Sequence, residues 1–545
     1  MGWGGHEGGV VRAKSTFLGM VLVVAAAIGV LPASDGGSTA TGGTERASVD
    51  SAGNQGNLNS RYPAISADGR FVAFTSGATN LVPGDTNAYL DVFVHDRQTG
   101  GTERVSVDSA GNQGDGDSDN AAISADGRFV AFNSVATGLV AGDSNGEGDV
   151  FVHDRQTGTT ERVSVDSAGG QGNRDSWYPV VSADGRFVAF ESASGTLAPG
   201  GTDGRYAVYV HDRQTGDTER ASVDSAGIPA ESFSENAAIS ADGRFVAFDS
   251  LSDNLVSGDT NGYDDVFVHD RQTGDTERVS VNSGGGESDS RSSYAALSAD
   301  GRFVTFASAA GNLVAGDDNG KDDIFVHDRQ TGLTSRVSVD SAGIQANDHS
   351  LTEGPRISAD GRFVAFDSEA TNLVPGDTNG STDVFLHDRQ TGVTQRVSVD
   401  SAGSQGNALS SAPDINQDGG LVVFGSNASN LITGDTNGMP DVFVRCLEGP
   451  CGAGPTPTPP AGQLLGDVNC AGGVNSVDAL FVLRSVAQIE PSGDCLAAAG
   501  DVNCSGGINA VDSLQILRYV AGMPVSQEPE CPEIGTAVPA FAAAP

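Results

Sequence analysis

Two acidic loops near the C-terminus carry the residues best suited to binding a metal ion. The segments 466–484 and 500–518 share the pattern GDVNCxGGxNxVDxLxxLR. Loop positions one, three, nine and twelve supply oxygen ligands in both copies: Asp467, Asn469, Asn475 and Asp478, then Asp501, Asn503, Asn509 and Asp512. Such oxygens, with glycine at the sharp turn, are typical of calcium loops, so we expect calcium as the cofactor.

Position five of each loop departs from the calcium pattern. It is Ala471 in the first copy, which removes a ligand, and Ser505 in the second, which offers only a hydroxyl. Position four is cysteine in both. Disulfides are therefore expected to supply part of the stabilisation that metal usually provides. A disulfide-bonded cap without metal or partner is the alternative.

A second candidate is a His-Asp-Arg triplet that begins at six histidines: His95, His153, His211, His269, His327 and His387. A His-Asp pair suggests acid–base chemistry. An active site is, however, a single asymmetric place, whereas these copies recur regularly. We therefore expect each triplet to bond the backbone and neighbouring repeats.

A third candidate is the GDTNG-type loop, exemplified by Asp85, Asn87 and Asp91, which recurs in six places. These side chains resemble half of a calcium loop, but the same residues form Asx turns without metal. Both interpretations stay open from sequence. The third copy, GGTDGRYAV, lacks the pattern.

These triplets and loops belong to one unit that recurs seven times. SADGR begins at Ser66, Ser124, Ser182, Ser240, Ser298 and Ser358, and a degenerate copy begins at Asn416, mostly 58 residues apart. In the first unit we predict strands at 62–66, 71–75, 92–94 and 103–108, with a type I′ turn at Asp-Gly. Continuous apolar runs such as 71–75 predict burial on both sheet faces.

The strand count predicts how the repeats close. The outer-strand pattern first occurs at 44–50, before any SADGR unit, and none follows the last unit. The N-terminal strand should therefore complete the last sheet and leave no free edge. The prediction is an all-β, seven-bladed β-propeller over residues 44–446. The pattern PxxSxDGRxVAF…DVFVHDRQTG resembles the TolB-type (PD40-like) propeller repeats; this implies the fold but hardly a function.

Segments that differ among the copies are the candidates for recognition on a regular scaffold. They connect each outer strand to the next unit, opposite the constant ADGR and RQTG turns. The residues that we expect on this ligand face are Arg61, Tyr62, Trp177, Tyr178, Phe233, Tyr294 and His349. A polysaccharide or protein ligand is the hypothesis there, with packing at the blade rim as the alternative.

The paired C-terminal loops, each followed by an amphipathic segment, resemble the type I dockerin family over residues 463–533. The resemblance implies a small α-helical module with paired calcium loops that binds a cohesin-like or surface partner. In that family, loop positions ten and eleven contact the partner. The corresponding residues here are Ser476, Val477, Ala510 and Val511, with Arg484 and Arg518 further along.

All six cysteines lie at or after Cys446, and an even number suits disulfides in an exported chain. From the twofold repeat we expect Cys470 with Cys495, Cys504 with Cys531, and Cys446 with Cys451. The sequence does not fix this connectivity.

Residues 1–34 have the pattern of a secretory signal, with Arg12 and Lys14 before an apolar run and small residues after it. An uncleaved anchor is the alternative. We expect a secreted or cell-surface protein with no membrane span in the mature chain. The net charge of −41, from 71 acidic and 30 basic residues, argues against a nucleic-acid partner.

The predicted order is a signal segment (1–34), the propeller (44–446), a Pro/Thr-rich linker (447–462), the dockerin-like module (463–533) and a tail (534–545). No arrangement of nucleophile, base and acid is evident, so the favoured function is a non-catalytic binding propeller that is tethered through the module. The alternative is a polysaccharide hydrolase or lyase on the same face.

Overall fold

The computed structural model describes residues 42–201, 204–350, 354–447 and Cys451. They form seven four-stranded antiparallel sheets, of which six are each built from one continuous segment and the seventh combines β1 with the last three strands. In chain order the strands are β1 (Thr44–Arg46) of blade 7; β2 (Ser60–Ile65), β3 (Phe71–Ser76), β4 (Asp91–Asp96) and β5 (Gly101–Arg104) of blade 1; β6 (Ser118–Ile123), β7 (Phe129–Ser134), β8 (Asp149–Asp154) and β9 (Thr159–Arg162) of blade 2; β10 (Ser176–Val181), β11 (Phe187–Ser192), β12 (Ala207–Asp212) and β13 (Thr218–Arg220) of blade 3; β14 (Ser234–Ile239), β15 (Phe245–Ser250), β16 (Asp265–Asp270) and β17 (Thr276–Arg278) of blade 4; β18 (Ser292–Leu297), β19 (Phe303–Ser308), β20 (Asp323–Asp328) and β21 (Leu333–Arg336) of blade 5; β22 (Arg356–Ile357), β23 (Phe363–Ser368), β24 (Asp383–Asp388) and β25 (Val393–Arg396) of blade 6; and β26 (Ser410–Ile415), β27 (Leu421–Ser426) and β28 (Asp441–Cys446) of blade 7.

The ring is a seven-bladed β-propeller, as the repeat predicts. Blade 7 has the order β1-β28-β27-β26, so the N-terminal strand supplies its outer edge. Thr44 pairs with Arg445 and Arg46 pairs with Phe443. The predicted closure is confirmed. Within the described residues there is no helix long and apolar enough to cross a membrane.

The hydrophobic core lies between blades rather than within one sheet. One cluster joins Ala73 and Val94 of blade 1 to Val130 and Phe132 of blade 2. Every residue of β4 is buried, which confirms that its apolar run packs on both faces. Each blade adds a stacked aromatic pair, such as Phe132 and Phe151, whose ring centroids are 5.9 Å apart.

Two local predictions were wrong. The outer strand of blade 1 ends at Arg104, not at Asp108, because the N–H of Val92 donates to the Ser106 hydroxyl at 3.1 Å in place of a main-chain ladder bond. The Asp-Gly turn is not type I′: Gly69 has φ 74° but Asp68 does not have positive φ. Gly69 N instead donates to Ser66 O at 2.8 Å, as in a type I turn followed by a left-handed glycine.

Candidate functional site

The seven innermost strands surround a central cavity with a volume of about 520 Å³. Its wall carries three layers. Tyrosines and asparagines lie toward the variable connections, small apolar residues lie in the middle, and aliphatic side chains lie next to the SADGR turns. The aliphatic layer takes one residue from each of blades 1 to 6: Ile65, Ile123, Val181, Ile239, Leu297 and Ile357. A cavity of this size and composition is typical of small-ligand sites.

The predicted ligand-face residues lie mainly on this wall rather than on loops, which corrects their expected placement. Arg61 and Tyr62 are on β2, Tyr178 is on β10 and Tyr294 is on β18, and all four line the cavity. The inner strands carry a bulge here, between Arg61 and Ala64 in β2. The bulge turns the third residue of each described inner strand except β22 inward and could not be inferred from the sequence pattern.

The bulged residues have left-handed backbone conformations, with φ of 50° at Tyr62, 50° at Tyr178 and 57° at Tyr294. Asn120 and Asn236 occupy the same position in blades 2 and 4, with φ of 55° and 54°. Tyrosine and asparagine thus alternate around part of the cavity mouth. Such backbone strain in non-glycine residues is concentrated at functional sites.

Side chains of the preceding blade hold several of these bulges in place. The Asn236 N–H donates to Glu191 Oε1 at 2.5 Å, and the Tyr294 N–H donates to Asp249 Oδ1 at 3.0 Å. Burial raises the pKa of Glu191 to about 8 and that of Asp249 to about 7. These carboxyl groups position the cavity lining but are not part of it.

Three other ligand-face candidates are placed differently. The indole of Trp177 packs over Gly148 of blade 2, where an added Cβ would lie 2.5 Å from the ring, and its side chain is hydrogen-bonded to Tyr206. Phe233 is 46 % exposed before β14. His349 Nδ1 lies 2.8 Å from Asp322 Oδ2. The structure therefore does not gather the seven candidates into one site.

Two charged pairs line the cavity. At the mouth, Arg61 Nη2 contacts Asp119 Oδ2 at 3.0 Å. Deeper in, Arg356 Nε and Asp414 Oδ1 are 3.9 Å apart. The second pair was not predicted from the sequence. The repeats nevertheless differ at this position. In the other inner strands an apolar residue such as Ala64 precedes the last aliphatic residue, whereas Arg356 (in PRIS) and Asp414 (in PDIN) take its place in blades 6 and 7.

The His-Asp-Arg triplets join the blades to one another. Arg155 Nε donates to Glu103 Oε1 of blade 1 at 2.6 Å, and its guanidinium lies 4.2 Å from the Phe71 ring centroid. Asp154 accepts two bonds from Arg128, at 2.9 and 2.7 Å, which hold the pKa of its carboxyl well below the ordinary value. The structural interpretation of the triplet agrees with these contacts.

The histidine of each triplet is buried and bonded within the framework. His95 Nδ1 lies 2.9 Å from Thr102 Oγ1, and that hydroxyl donates its proton to Val49 O. Nδ1 must therefore be the donor to Thr102. Burial lowers the pKa of His95, which favours the neutral ring.

An arginine lies between the carboxylates of the GDTNG-type loops. Arg104 Nη1 is 3.3 Å from Asp85 Oδ1 and 3.2 Å from Asp91 Oδ2. Asn87 Oδ1 accepts the Tyr89 N–H at 3.2 Å, which is an Asx turn. Five further blades repeat the arrangement, at Arg46, Arg162, Arg278, Arg336 and Arg396. A guanidinium supplies the cation that a calcium loop would hold, and the described residues contain no metal-binding group of three His, Cys, Asp or Glu side chains.

Blade 3 lacks both of these aspartates, and its buried arginine bonds differently. Arg220 donates to Ser222 Oγ, Gly200 O and Ala230 O, each at 3.1 Å. Burial lowers the pKa of Arg220. Carbonyl and hydroxyl oxygens thus replace the carboxylates at this position.

Cys446 and Cys451 form a disulfide at the end of the ring, as expected. The remaining predictions lie outside the described residues. They are the signal segment 1–34, most of the linker, the module 463–533 with its calcium ligands and partner-contacting residues, the tail 534–545, and the pairing of Cys470, Cys495, Cys504 and Cys531.

Comparison with known proteins identifies the C-terminal domain. Residues 465–521 match the dockerin type I domain family. No curated protein matches the chain in sequence. The chain therefore joins a seven-bladed β-propeller to a dockerin type I domain.

Solved structures that are similar to the chain include a TolB protein, the propeller domain of a protease and a lyase. TolB from Acinetobacter baumannii shares 19 % identity over 51 % of this chain, with a TM-score of 0.32, and the match spans only 53 % of that protein. The β-propeller domain of the Trilobed protease from Pyrococcus furiosus shares 11 % identity over 71 % of this chain and 95 % of that domain, with a TM-score of 0.44. Oligogalacturonate lyase from Vibrio parahaemolyticus shares 14 % identity over 74 % of this chain and 97 % of that protein, with a TM-score of 0.42. Likenesses at this level say nothing about activity.

Proposed function

We propose that this protein is a secreted, non-catalytic binding propeller that is tethered to a cohesin-type or cell-surface partner through its dockerin domain, in a calcium-dependent manner. The observation that carries the proposal is the dockerin type I match at 465–521, which follows the closed propeller in the sequence. A propeller joined to a docking domain is suited to presenting a binding surface at a fixed location.

The donor chemistry of the two loops supports the dependence on calcium. Asp467 and Asp478 in the first loop, and Asp501 and Asp512 in the second, provide hard oxygen ligands. Ser505 retains an oxygen at position five of the second loop, whereas Ala471 does not in the first. We therefore expect the second loop to bind calcium more tightly.

The partner surface is assigned to loop positions ten and eleven of the dockerin domain. Ser476 with Val477 and Ala510 with Val511 are near-matched pairs of one small and one β-branched residue. Arg484 and Arg518 occupy equivalent places further along. This twofold similarity supports two related docking faces on one domain.

Secretion is supported by the N-terminal pattern at 1–34 and by the Cys446–Cys451 disulfide, because disulfides persist in oxidising compartments. The binding role is supported by the way in which the ring uses its repeated polar groups. The histidine of each triplet is bonded to a threonine, and its aspartate to an arginine, which leaves the varied cavity wall as the candidate site.

The test is capture of the partner by the full chain from the secreted and surface proteins of its own organism, in calcium and in chelator. The proposal expects a discrete partner that is retained in calcium and lost both in chelator and with Asp478→Ala plus Asp512→Ala. Capture that is indifferent to calcium would contradict the tethering. Release of reducing ends or unsaturated products from a polysaccharide by the full chain would contradict the non-catalytic role.

A further inference from the structure

One position of the cavity wall is apolar in five blades and charged in the other two. The inner strands place Ala64, Ala122, Val180, Ala238 and Ala296 there, each paired in register with the second inner strand. At the same register, blade 6 places Arg356 opposite Ala365 and blade 7 places Asp414 opposite Val423. Both charged residues line the cavity. At this position the wall is thus charged only in the neighbouring blades 6 and 7.

Among the described residues, not every N–H donor of the Arg356 guanidinium has a partner. Its Nε is 3.9 Å from Asp414 Oδ1, beyond hydrogen-bond distance. Its Nη1 donates to Pro355 O at 3.1 Å. A guanidinium carries five N–H donors in a fixed fork, and this side chain is 44 % exposed on the cavity. The Arg356 guanidinium can therefore bind the carboxylate of a ligand without breaking an existing close ion pair.

The backbone adds further donors beside it. In blade 1, Ala64 pairs with Ala73 and Ser66 N donates to Phe71 O, so the intervening Ile65 N–H points away from the sheet. Asp414 Oδ2 accepts this N–H at 2.9 Å. The pairing of Arg356 with Ala365 and the Ser358 N bond to Phe363 O leave the N–H of Ile357 at the same free edge. The contact of Asp414 with the Ile65 N–H thus shows that the free edge of an inner strand can bind a carboxylate.

We propose that the central cavity binds an organic carboxylate with an apolar body. The ligand's carboxylate takes the fork of Arg356 and the edge N–H of Ile357, and its body packs against the small apolar residues and the aliphatic layer. Asp414 lies beside this position and competes for it. The inference deepens the proposed binding role and depends on it, but it involves neither calcium nor the dockerin domain.

The other charged groups of the cavity fit this assignment. Arg61 is engaged with Asp119 at 3.0 Å, so its charge is already paired at the mouth. Asp414 is engaged with the Ile65 N–H, which leaves it less free to bind an added cation. A charge-assisted bond to a guanidinium is about twice as strong as a neutral one, so the free fork of Arg356 dominates the recognition.

The test is calorimetric titration of the full chain with 3-phenylpropionate. The matched probe is 3-phenylpropionamide, which keeps the apolar body and removes the charge, and glucuronate supplies a carboxylate on a polar body. The proposal expects 3-phenylpropionate to bind at least about tenfold more tightly than either. Equal binding of the amide would overturn the carboxylate site, and tighter binding of glucuronate would overturn the apolar body.

Two variants should change the affinity in opposite directions. Arg356→Gln should weaken 3-phenylpropionate binding about tenfold or more. Asp414→Asn keeps an acceptor for Ile65 but removes the competing charge, so it should strengthen binding about threefold or more. Arg291→Gln is the control, because Arg291 lies outside the cavity and pairs with Asp322, and it should change binding by less than about twofold. Weaker binding by Asp414→Asn, or an equal loss with Arg291→Gln, would overturn the proposal.

These outcomes can be separated from those that concern docking. Thermal unfolding of each variant checks that the ring is folded, and the comparison of acid with amide needs no variant. Loss of calcium-dependent capture with intact carboxylate binding would contradict the tether alone. Calcium-dependent capture without any carboxylate binding would contradict the cavity assignment alone.

Discussion

Single arginines connect neighbouring blades, and they do so through an aromatic ring as well as through charge. The Phe71 ring lies between Arg70 of its own blade, at 4.6 Å, and Arg155 of the next, at 4.2 Å. Arg155 is mostly buried, whereas its carboxylate partner Glu103 is half exposed. An exposed carboxylate contributes little through a salt bridge. The stacking of the planar Arg155 guanidinium on the Phe71 side chain should therefore contribute more to stability than the salt bridge to Glu103.

This balance predicts that Arg155→Lys destabilises more than Glu103→Gln. The lysine keeps the charge but loses the stacking and the fork, which should cost about 1–2 kcal/mol of unfolding free energy. Glu103→Gln should cost under about 0.5 kcal/mol. Arg389→Lys is a matched control, because Arg389 stacks on Phe303 while Ser335 occupies the position of the glutamate. Denaturant unfolding measures all three, and an equal cost for Glu103→Gln would contradict the argument.

Glu191 gives the ring a dependence on pH. Its pKa is raised from 4.5 to about 8 by burial, so the folded state holds a proton that the unfolded state has lost between these values. Its contribution to stability is full below about pH 4.5 and is lost as the pH rises through about 8. Ionisation of this group therefore destabilises the ring under alkaline conditions.

Glu191→Gln should accordingly stabilise the protein by about 1–3 kcal/mol near pH 9 and leave it unchanged near pH 4. The glutamine keeps an oxygen for the Asn236 N–H. Denaturant unfolding at both pH values measures the difference, with the exposed Glu231→Gln as the control. A stabilisation that is the same at both pH values would show that charge is not the cause.

At the scale of elements, the short strand β1 (Thr44–Arg46) closes the ring. It pairs with β28, and Arg46 lies 3.4 Å from Asp435 and 3.3 Å from Asp441. Both aspartates are buried. Removing β1 therefore exposes a sheet edge and leaves two buried carboxylates without their cation.

A chain that begins at Asp50 should be less stable than one that begins at Gly42 by about 3–5 kcal/mol, and it should self-associate. Because both chains lack residues 1–41, they differ only in residues 42–49, which comprise β1 together with the core residue Ala47 and with Ser48, which is bonded to Asp441. Thermal unfolding and size-exclusion chromatography give the two readouts. Equal melting temperatures for two monomeric chains would contradict the role of β1.

Much of the architecture was predictable from the sequence because it is repeated. The number of blades, the burial of β4 and the closure by β1 all follow from counting strand patterns. The end of the outer strand at Arg104 did not follow, because a tertiary bond from Val92 to Ser106 replaces the ladder. Local patterns do not contain that contact.

The cavity lining was less predictable than the fold. Whether Tyr62 faces the axis depends on a bulge between Arg61 and Ala64, which breaks the alternation of a regular strand. Arg356 and Asp414 meet only because blades 6 and 7 are neighbours in the ring. The repeats differ at both positions in sequence, but we did not predict from this difference that the two residues would meet.

At the scale of the whole molecule, the two domains divide the proposed tasks. The ring bonds its own arginines to aspartates and glutamates, and its varied cavity is assigned to ligand binding. The loops of residues 465–521 are assigned to calcium and docking. A variant should therefore be able to lose ligand binding and keep docking, or lose docking and keep ligand binding.

Calcium titration of the full chain should show heat that Asp478→Ala plus Asp512→Ala abolishes. Both aspartates hold position twelve of their loops, which supplies an essential carboxylate in calcium loops. Asp478→Ala alone should remove the weaker site and Asp512→Ala the tighter one. Undiminished heat in the double variant would contradict the ligand assignment.

The most direct measurement of the central claim is binding of the full chain to an immobilised type I cohesin domain, in calcium and in chelator. The account predicts binding in calcium that falls by about a hundredfold or more in chelator and in the double aspartate variant. Arg356→Gln, which alters only the cavity, should bind the cohesin as the unmodified chain does. Equal binding with and without calcium, or no binding in either, would contradict calcium-dependent tethering.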